Sequence, residues 1–390
     1  MEDYHVFSSE NLIDWKDHGV ILDQKQVPWV TGTPNSMWAP DCVFKDGKYY
    51  FYFPASNRIG VAIADHPEGP FKVEPQTIVN GIDPCCLIDP KDGKAYLVWG
   101  NNALFIHKLK DNMKELDPDV QTLRVPNIPT QGLVEGPFMF ERKGIYYLTF
   151  PHAVRINGHE AEELEYVISD NPLGPFKAPP NASAPATTTA GIIMDQSPSG
   201  IWTNHHSLVE YQGQWILFYH DRDLSPDFDK NRSIRADYLT FNDDGSINKV
   251  IPTLRGIGIA DATKNLQIDR YSAISGKDAV TVSFLDTNKK FDGWKVTLKD
   301  KDAWVQYDRV DFSKSTVKSV NVRSQSSTGG TIEIHLDKPD GPLLAKVDIE
   351  KGTDWKVIPT NLTTTPTGTH NLVITQSVKN EVDIDWLSFQ

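Results

Sequence analysis

The sequence predicts an all-β chain: a five-bladed β-propeller whose first blade is incomplete, followed by a β-sandwich of the jelly-roll kind. Three observations predict it. A turn-glycine strand recurs four times, helical periodicity is nearly absent, and near residue 260 the strands change to a shorter rhythm.

The recurring segments are DGKYYFYF (Asp46–Phe53), DGKAYLVW (Asp92–Trp99), KGIYYLTF (Lys143–Phe150) and QGQWILFY (Gln212–Tyr219). Each sets a glycine, the residue that most readily makes a tight hairpin, before a run of aromatic and aliphatic residues. Gly47, Gly93, Gly144 and Gly213 lie about 46, 51 and 69 residues apart, a spacing that suits four-stranded sheets arranged radially. HPEGPFK (His66–Lys72) and NPLGPFK (Asn171–Lys177) each follow a strand and read as one outer-strand turn in two blades. The opening YHVFSSENLIDWKDHG reads as the outer half of a blade, so about four and a half blades are visible and the chain is expected to be shortened at its N-terminus.

After NDDGSINKVIPTLRGIG the strands AWVQYDRVDF, VKSVNVRSQS, GTIEIHLD, LLAKVDIE, HNLVITQS and VDIDWLSF alternate apolar and polar residues, as two-sheet sandwiches do. The expected domains are residues 1–260 for the propeller and 263–390 for the sandwich. PNASAPATTTAG (Pro180–Gly191) reads as a loop between blades.

A formal net charge of -13 with scattered Lys and Arg argues against nucleic acid as a partner. No run of eighteen apolar residues occurs, so no membrane span is expected. Cys42, Cys85 and Cys86 lack metal-ligand spacing and read as small apolar residues. A monomer is expected.

WAPD (Trp38–Asp41), IDP (Ile82–Pro84), VEGP (Val134–Pro137), NHHS (Asn204–Ser207) and RSIRADYLTFNDDGSI from Arg232 stand in the order found in glycoside hydrolase family 43, which the first 260 residues therefore resemble. The last 125 or so resemble carbohydrate-binding module family 6, through AWVQYDRVDF, GGTIEIHLD, GPLLAKVDI, GTDWKVI, GTHNLVI and VDIDWLSF. The resemblance implies an inverting, exo-acting α-L-arabinofuranosidase or β-xylosidase acting on arabinoxylan, arabinan or a related polysaccharide, outside the cell or in the periplasm. The alternative is a glycan-binding protein without catalysis.

Glycoside hydrolysis needs two carboxyl groups flanking the bond. By the resemblance Glu135 is the general acid, and Asp83 orients it and keeps it protonated by like-charge repulsion. The family's general base is an Asp in an Asp-Pro pair upstream of the position matching Tyr4, so poor cleavage is expected of the chain as it stands. Trp38, Asp41 and Arg232 are candidate substrate contacts. Trp38 reads equally as core, and Arg232 equally as a surface ion pair. His205 matches an axial histidine that faces calcium, or is a core histidine. In the sandwich, Trp294, Trp355 and Asn380 are the candidate sugar contacts, and Asp269 and Asp385 the candidate calcium ligands.

Overall fold

In the computed structural model the described residues are 2–30, 36–126, 128–129, 132–156, 159–182, 190–195, 204–221, 233–289 and 292–390. They divide into two compact units, Met1–Ser8 with Trp15–Pro252, and Ser9–Asp14 with Thr253–Gln390.

The first unit is a series of antiparallel sheets in chain order. Asp3–Ser8 pairs with Lys16–Asp23. The second sheet runs Asp41–Lys45, Lys48–Ala55, Arg58–Ala64 and Lys72–Val73, with Val79–Asn80 also on the third strand. The third comprises Cys85–Ile88, Ala95–Trp99, Phe105–Lys108 and Leu123–Arg124. The fourth comprises Phe138–Arg142, Ile145–Ile156, His159–Ser169 and Gly191–Met194. In the fifth, the described strands are His206–Tyr211, Gln214–Asp221 and Ser233–Leu239.

Three of the four turn glycines close two-residue hairpins with both central residues in the left-handed region. They are Asp46–Gly47 (φ 49 and 79), Lys143–Gly144 (φ 51 and 86) and Gln212–Gly213 (φ 51 and 77). Two positive φ values match the twist of the flanking strands. The strand after each glycine is apolar at nearly every position because it is covered on both faces. Phe51 and Phe53 pack with Tyr4 and Leu22 of the first sheet, whereas Tyr52 between them packs with Leu97 and Trp99 of the third. Tyr146 and Leu148 likewise join Tyr96 and Val98, while Tyr147 joins Leu217 and Tyr219. Four cores thus fill the gaps between successive sheets, each fed by alternate residues of strands from the two sheets beside it. Trp15, just before the second strand of the first sheet, stands edge-on to Phe218 of the fifth sheet with ring centroids 6.3 Å apart.

Cys85 and Cys86 are buried in two different cores, as small apolar residues would be. Cys42 is exposed.

The second unit is a sandwich around one core. One sheet has the order Ala260–Asp261, Trp304–Asp311, Thr369–Gln376, Gly330–Leu336, Leu343–Ile349. The other has the order Val280–Phe284, Trp294–Leu298, Val382–Phe389, Ser319–Ser326, Gly352–Asn361. This unit begins earlier than residue 263 and takes in an N-terminal segment. Arg255 donates to the carbonyls of Asp308, Ile257 and Gly258, and Ala260–Asp261 runs parallel to Trp304–Asp311. Ile13 packs against the sandwich core, where a Cβ on Gly258 would lie 2.6 Å from it.

Candidate active site

Three side chains from three blades meet where inner strands begin. Asp83 lies two residues before Cys85–Ile88, Glu135 three before Phe138–Arg142, and His205 directly before His206–Tyr211. Their ligand atoms all lie within 4.8 Å of one another. His205 Nε2 is 3.5 Å from Glu135 Oε1 and 3.9 Å from Asp83 Oδ2. Asp83 is 4% exposed and Glu135 6%, so two carboxyl groups are held out of bulk water beside one imidazole.

The backbone around them is specialised. Asp83 has φ 55, a region costly for a residue with a Cβ, and its carboxylate accepts the Gly136 N–H at 3.3 Å. Gly136 itself has φ 49, and a Cβ there would stand 3.0 Å from the His205 ring. Glycine therefore lets Glu135 and His205 approach. Buried Glu162, on His159–Ser169, accepts the N–H of Asn204 and so anchors the segment carrying His205. Behind the Glu135 segment, His152 Nδ1 meets Glu165 Oε1 at 2.7 Å, with both residues buried.

Burial pulls the His205 imidazole down, but contact with Glu135 and the charges of Asp83, Glu135 and Glu162 outweigh it and hold the group above its ordinary value. The next residue goes the other way. His206 is pushed down to about 3 by burial and then by His205 and His220, and its Nε2 lies 2.6 Å from Thr149 Oγ1. Adjacent histidines are thus shifted in opposite directions because only one faces carboxylates.

Sequence reasoning missed Tyr4, Asn101 and Glu162. Tyr4 OH donates to the Trp38 carbonyl at 2.6 Å, and its phenol is raised by burial and then by the charge of Asp83, so it lies within electrostatic reach of the cluster. Asn101 Nδ2 donates to Glu135 Oε2 at 2.7 Å. A Gly-Asn-Asn run directly after an inner hairpin was the available signal.

Trp38 is 43% exposed, with its carbonyl held by Tyr4. Asp41 is placed differently from a substrate contact. Its Oδ2 accepts the Cys86 N–H at 2.7 Å and its carboxyl is raised by burial, so it ties two inner strands together. Arg232 lies outside the described residues.

The sandwich residues are not brought together as the resemblance implies. Trp294 and Trp355 lie on strands separated by two others in one sheet, so their backbones stand about 14 Å apart at ordinary strand spacing. Trp294 packs on Phe284, with ring centroids 4.1 Å apart. The Arg323 guanidinium lies 5.0 Å over Trp355. Asn380 Nδ2 donates to the Gly329 carbonyl at 2.7 Å, an internal bond between two loops of the sandwich.

Asp269 and Asp385 do not fit a calcium site. Arg323 Nη1 pairs with Asp385 Oδ2, so a guanidinium already supplies the cation. Among the described residues, the acidic and histidine group with metal-holding separations is Asp83, Glu135 and His205. Burial chiefly pushes Asp269 up to about 6, with a smaller opposing effect of Arg270 and an added rise from Asp385. A carboxyl whose folded pKa is raised destabilises the fold above that pKa, and the penalty fades as pH falls toward its unfolded value. Asp269→Asn is therefore expected to stabilise the sandwich by about 2–3 kcal/mol at pH 7 and by almost nothing near pH 4. Calorimetry at the two pH values checks this, and destabilisation at pH 7 would contradict it.

The comparisons agree with this architecture. Residues 1–247 match the glycosyl hydrolases family 43, and residues 272–390 match the carbohydrate binding module (family 6). The chain is 34% identical over 301 residues to xylosidase/arabinosidase 43A of Humicola insolens, covering 63% of this chain and 85% of that protein. A solved β-xylosidase/α-arabinofuranosidase from a compost microbial metagenome, in complex with xylotriose in calcium-free form, is 32% identical with TM-score 0.52, covering 64% of this chain and 83% of that one. The Bacillus subtilis arabinoxylan arabinofuranohydrolase matches 99% of this chain and 87% of that one at 22% identity and TM-score 0.54, a likeness of fold. The chain belongs to the glycosyl hydrolases family 43, with a family 6 carbohydrate binding module at its C-terminal end.

Proposed function

We propose that the chain removes terminal xylosyl or arabinofuranosyl units from plant polysaccharide such as arabinoxylan, with inversion at the anomeric carbon. The observation that carries this reading is the convergence of Asp83 and Glu135, both buried, at the starts of neighbouring inner strands. In the reaction the C1–O bond breaks, the Glu135 proton passes to the departing oxygen, and water attacks C1 from the opposite face. Asp83 orients the Glu135 segment through Gly136 and adds a like charge beside the acid.

The acid and base of an inverting enzyme stand about 6.5–9.5 Å apart to admit water. Asp83 and Glu135 have ligand oxygens within 4.8 Å, too close for that pair, so inversion needs a base other than the residues gathered at this cluster. Asp41, committed to Cys86, does not serve.

The His205 imidazole, beside Asp83, also suits a divalent cation held through water, which leaves Glu135 free to carry its proton. The resemblance makes that cation calcium, held mostly through water because calcium prefers six to eight oxygens. Bound there, it would supply positive charge among the carboxylates.

No helix among the described residues is long and apolar enough to cross a membrane. Action outside the cell or in the periplasm follows from a polysaccharide substrate, which the sandwich would help retain. Nitrophenyl β-xyloside, nitrophenyl α-L-arabinofuranoside and arabinoxylan test the reading. Slow release of single pentoses is expected, since none of the residues identified at the site serves as the base. Retention of arabinoxylan without any release would favour the glycan-binding alternative.

A further inference from the structure

The loop that follows Ala95–Trp99 is pinned to both carboxylate-bearing segments. Gly100 N–H donates to the Ile82 carbonyl at 3.1 Å, directly before Asp83. Asn102 N–H donates to the Val134 carbonyl at 2.8 Å, directly before Glu135. The loop turns so tightly that a Cβ on Gly100, at φ 140, would lie 1.9 Å from the Ala103 carbonyl oxygen. Between these two anchors stands Asn101, whose Nδ2 reaches Glu135 Oε2 at 2.7 Å. Asn102 Nδ2 donates to Asn101 Oδ1, also at 2.7 Å, and this fixes which end of the Asn101 amide faces the carboxyl, since an oxygen accepting from Asn102 leaves only the nitrogen for Glu135.

We infer that Asn101 is a positioning residue for proton donation by Glu135, holding the plane of its carboxyl group through a hydrogen bond that Asn102 orients. The inference rests on the reading of Glu135 as the general acid. A carboxyl has broad freedom about its terminal torsion, and one oxygen clamped by a rigid amide removes that freedom. Proton transfer requires the donor oxygen within hydrogen-bond reach of the departing atom, so loss of the clamp slows the steps that need the proton. Steps that do not need it are spared.

Leaving-group dependence separates positioning from general damage. A dinitrophenyl group departs without a proton, whereas a sugar alcohol does not. The full chain, Asn101→Ala, Asn102→Ala and Glu135→Gln are compared on dinitrophenyl glycosides and on the matching pentose disaccharides. Assays are run with and without sodium azide, whose anion attacks without losing a proton. Asn101→Ala is expected to lose about 10–100-fold in kcat/KM on the disaccharide and less than about threefold on the dinitrophenyl glycoside. Asn102→Ala, which removes only the orienting bond, is expected to show the same split with a smaller loss. If Glu135→Gln shows the split but Asn101→Ala loses nothing, or loses equally on both substrates, the role of Asn101 is overturned and that of Glu135 stands. If Glu135→Gln shows no split, the reading of the acid fails, and the inference with it.

Discussion

Glu135→Gln is expected to lower kcat/KM on unactivated pentosides by about 10²–10⁴-fold, the loss typical of removing a positioned proton donor. Glutamine keeps the shape of the side chain and can still meet Asn101 and His205, so the fold and the pocket should survive. What disappears is the transferable proton. The comparison of kcat with KM carries the interpretation. A proton delivered only in the transition state lowers kcat and kcat/KM together, whereas a lost substrate contact raises KM. A variant that hydrolyses disaccharides at the parent rate would remove Glu135 from the chemistry.

In the sandwich the largest expected effect comes from Arg323. Asp385 is 3% exposed, and burial raises its carboxyl against the opposing pull of Arg323. Arg323→Met would leave a buried carboxylate without its cation and would strip the guanidinium from the face of Trp355. Breaking such a pair costs about 3–5 kcal/mol, and the lower end applies because the Arg323 side chain is 32% exposed. Pairing Arg323→Met with Asp385→Asn should recover much of the loss, since no charge is then stranded. Thermal unfolding of the single and double variants measures both. A single variant as stable as the parent would show that Asp385 is satisfied by other means, a bound ion included.

The propeller was legible because its local and global requirements coincide. A hairpin with two left-handed residues selects Asp-Gly, Lys-Gly or Gln-Gly, and a strand covered on both faces selects apolar residues at both parities, so the four segments resemble one another. The domain division was less legible. The run from Thr253 belongs with the sandwich through Arg255 and a short parallel pairing, and neither leaves a pattern in the sequence. Asp83 and Glu135 stood in the recognisable runs IDP and VEGP, and the fold brings them together with His205. Asn101 and Glu162 act through contacts 34 and 42 residues away, which no local spacing encodes. The tryptophans of the sandwich show the reverse problem. Alternation identifies strands but not their order in a sheet, and the order Trp294–Leu298, Val382–Phe389, Ser319–Ser326, Gly352–Asn361 keeps Trp294 and Trp355 apart.

The most direct test of the account is the configuration of the sugar first released from an aryl β-xyloside, followed by proton NMR before the anomers equilibrate. α-Xylose is expected first, because the family to which the chain belongs hydrolyses with inversion and Glu135 then acts with a base other than Asp83. β-Xylose as the first product would contradict the account and would make Asp83 a nucleophile.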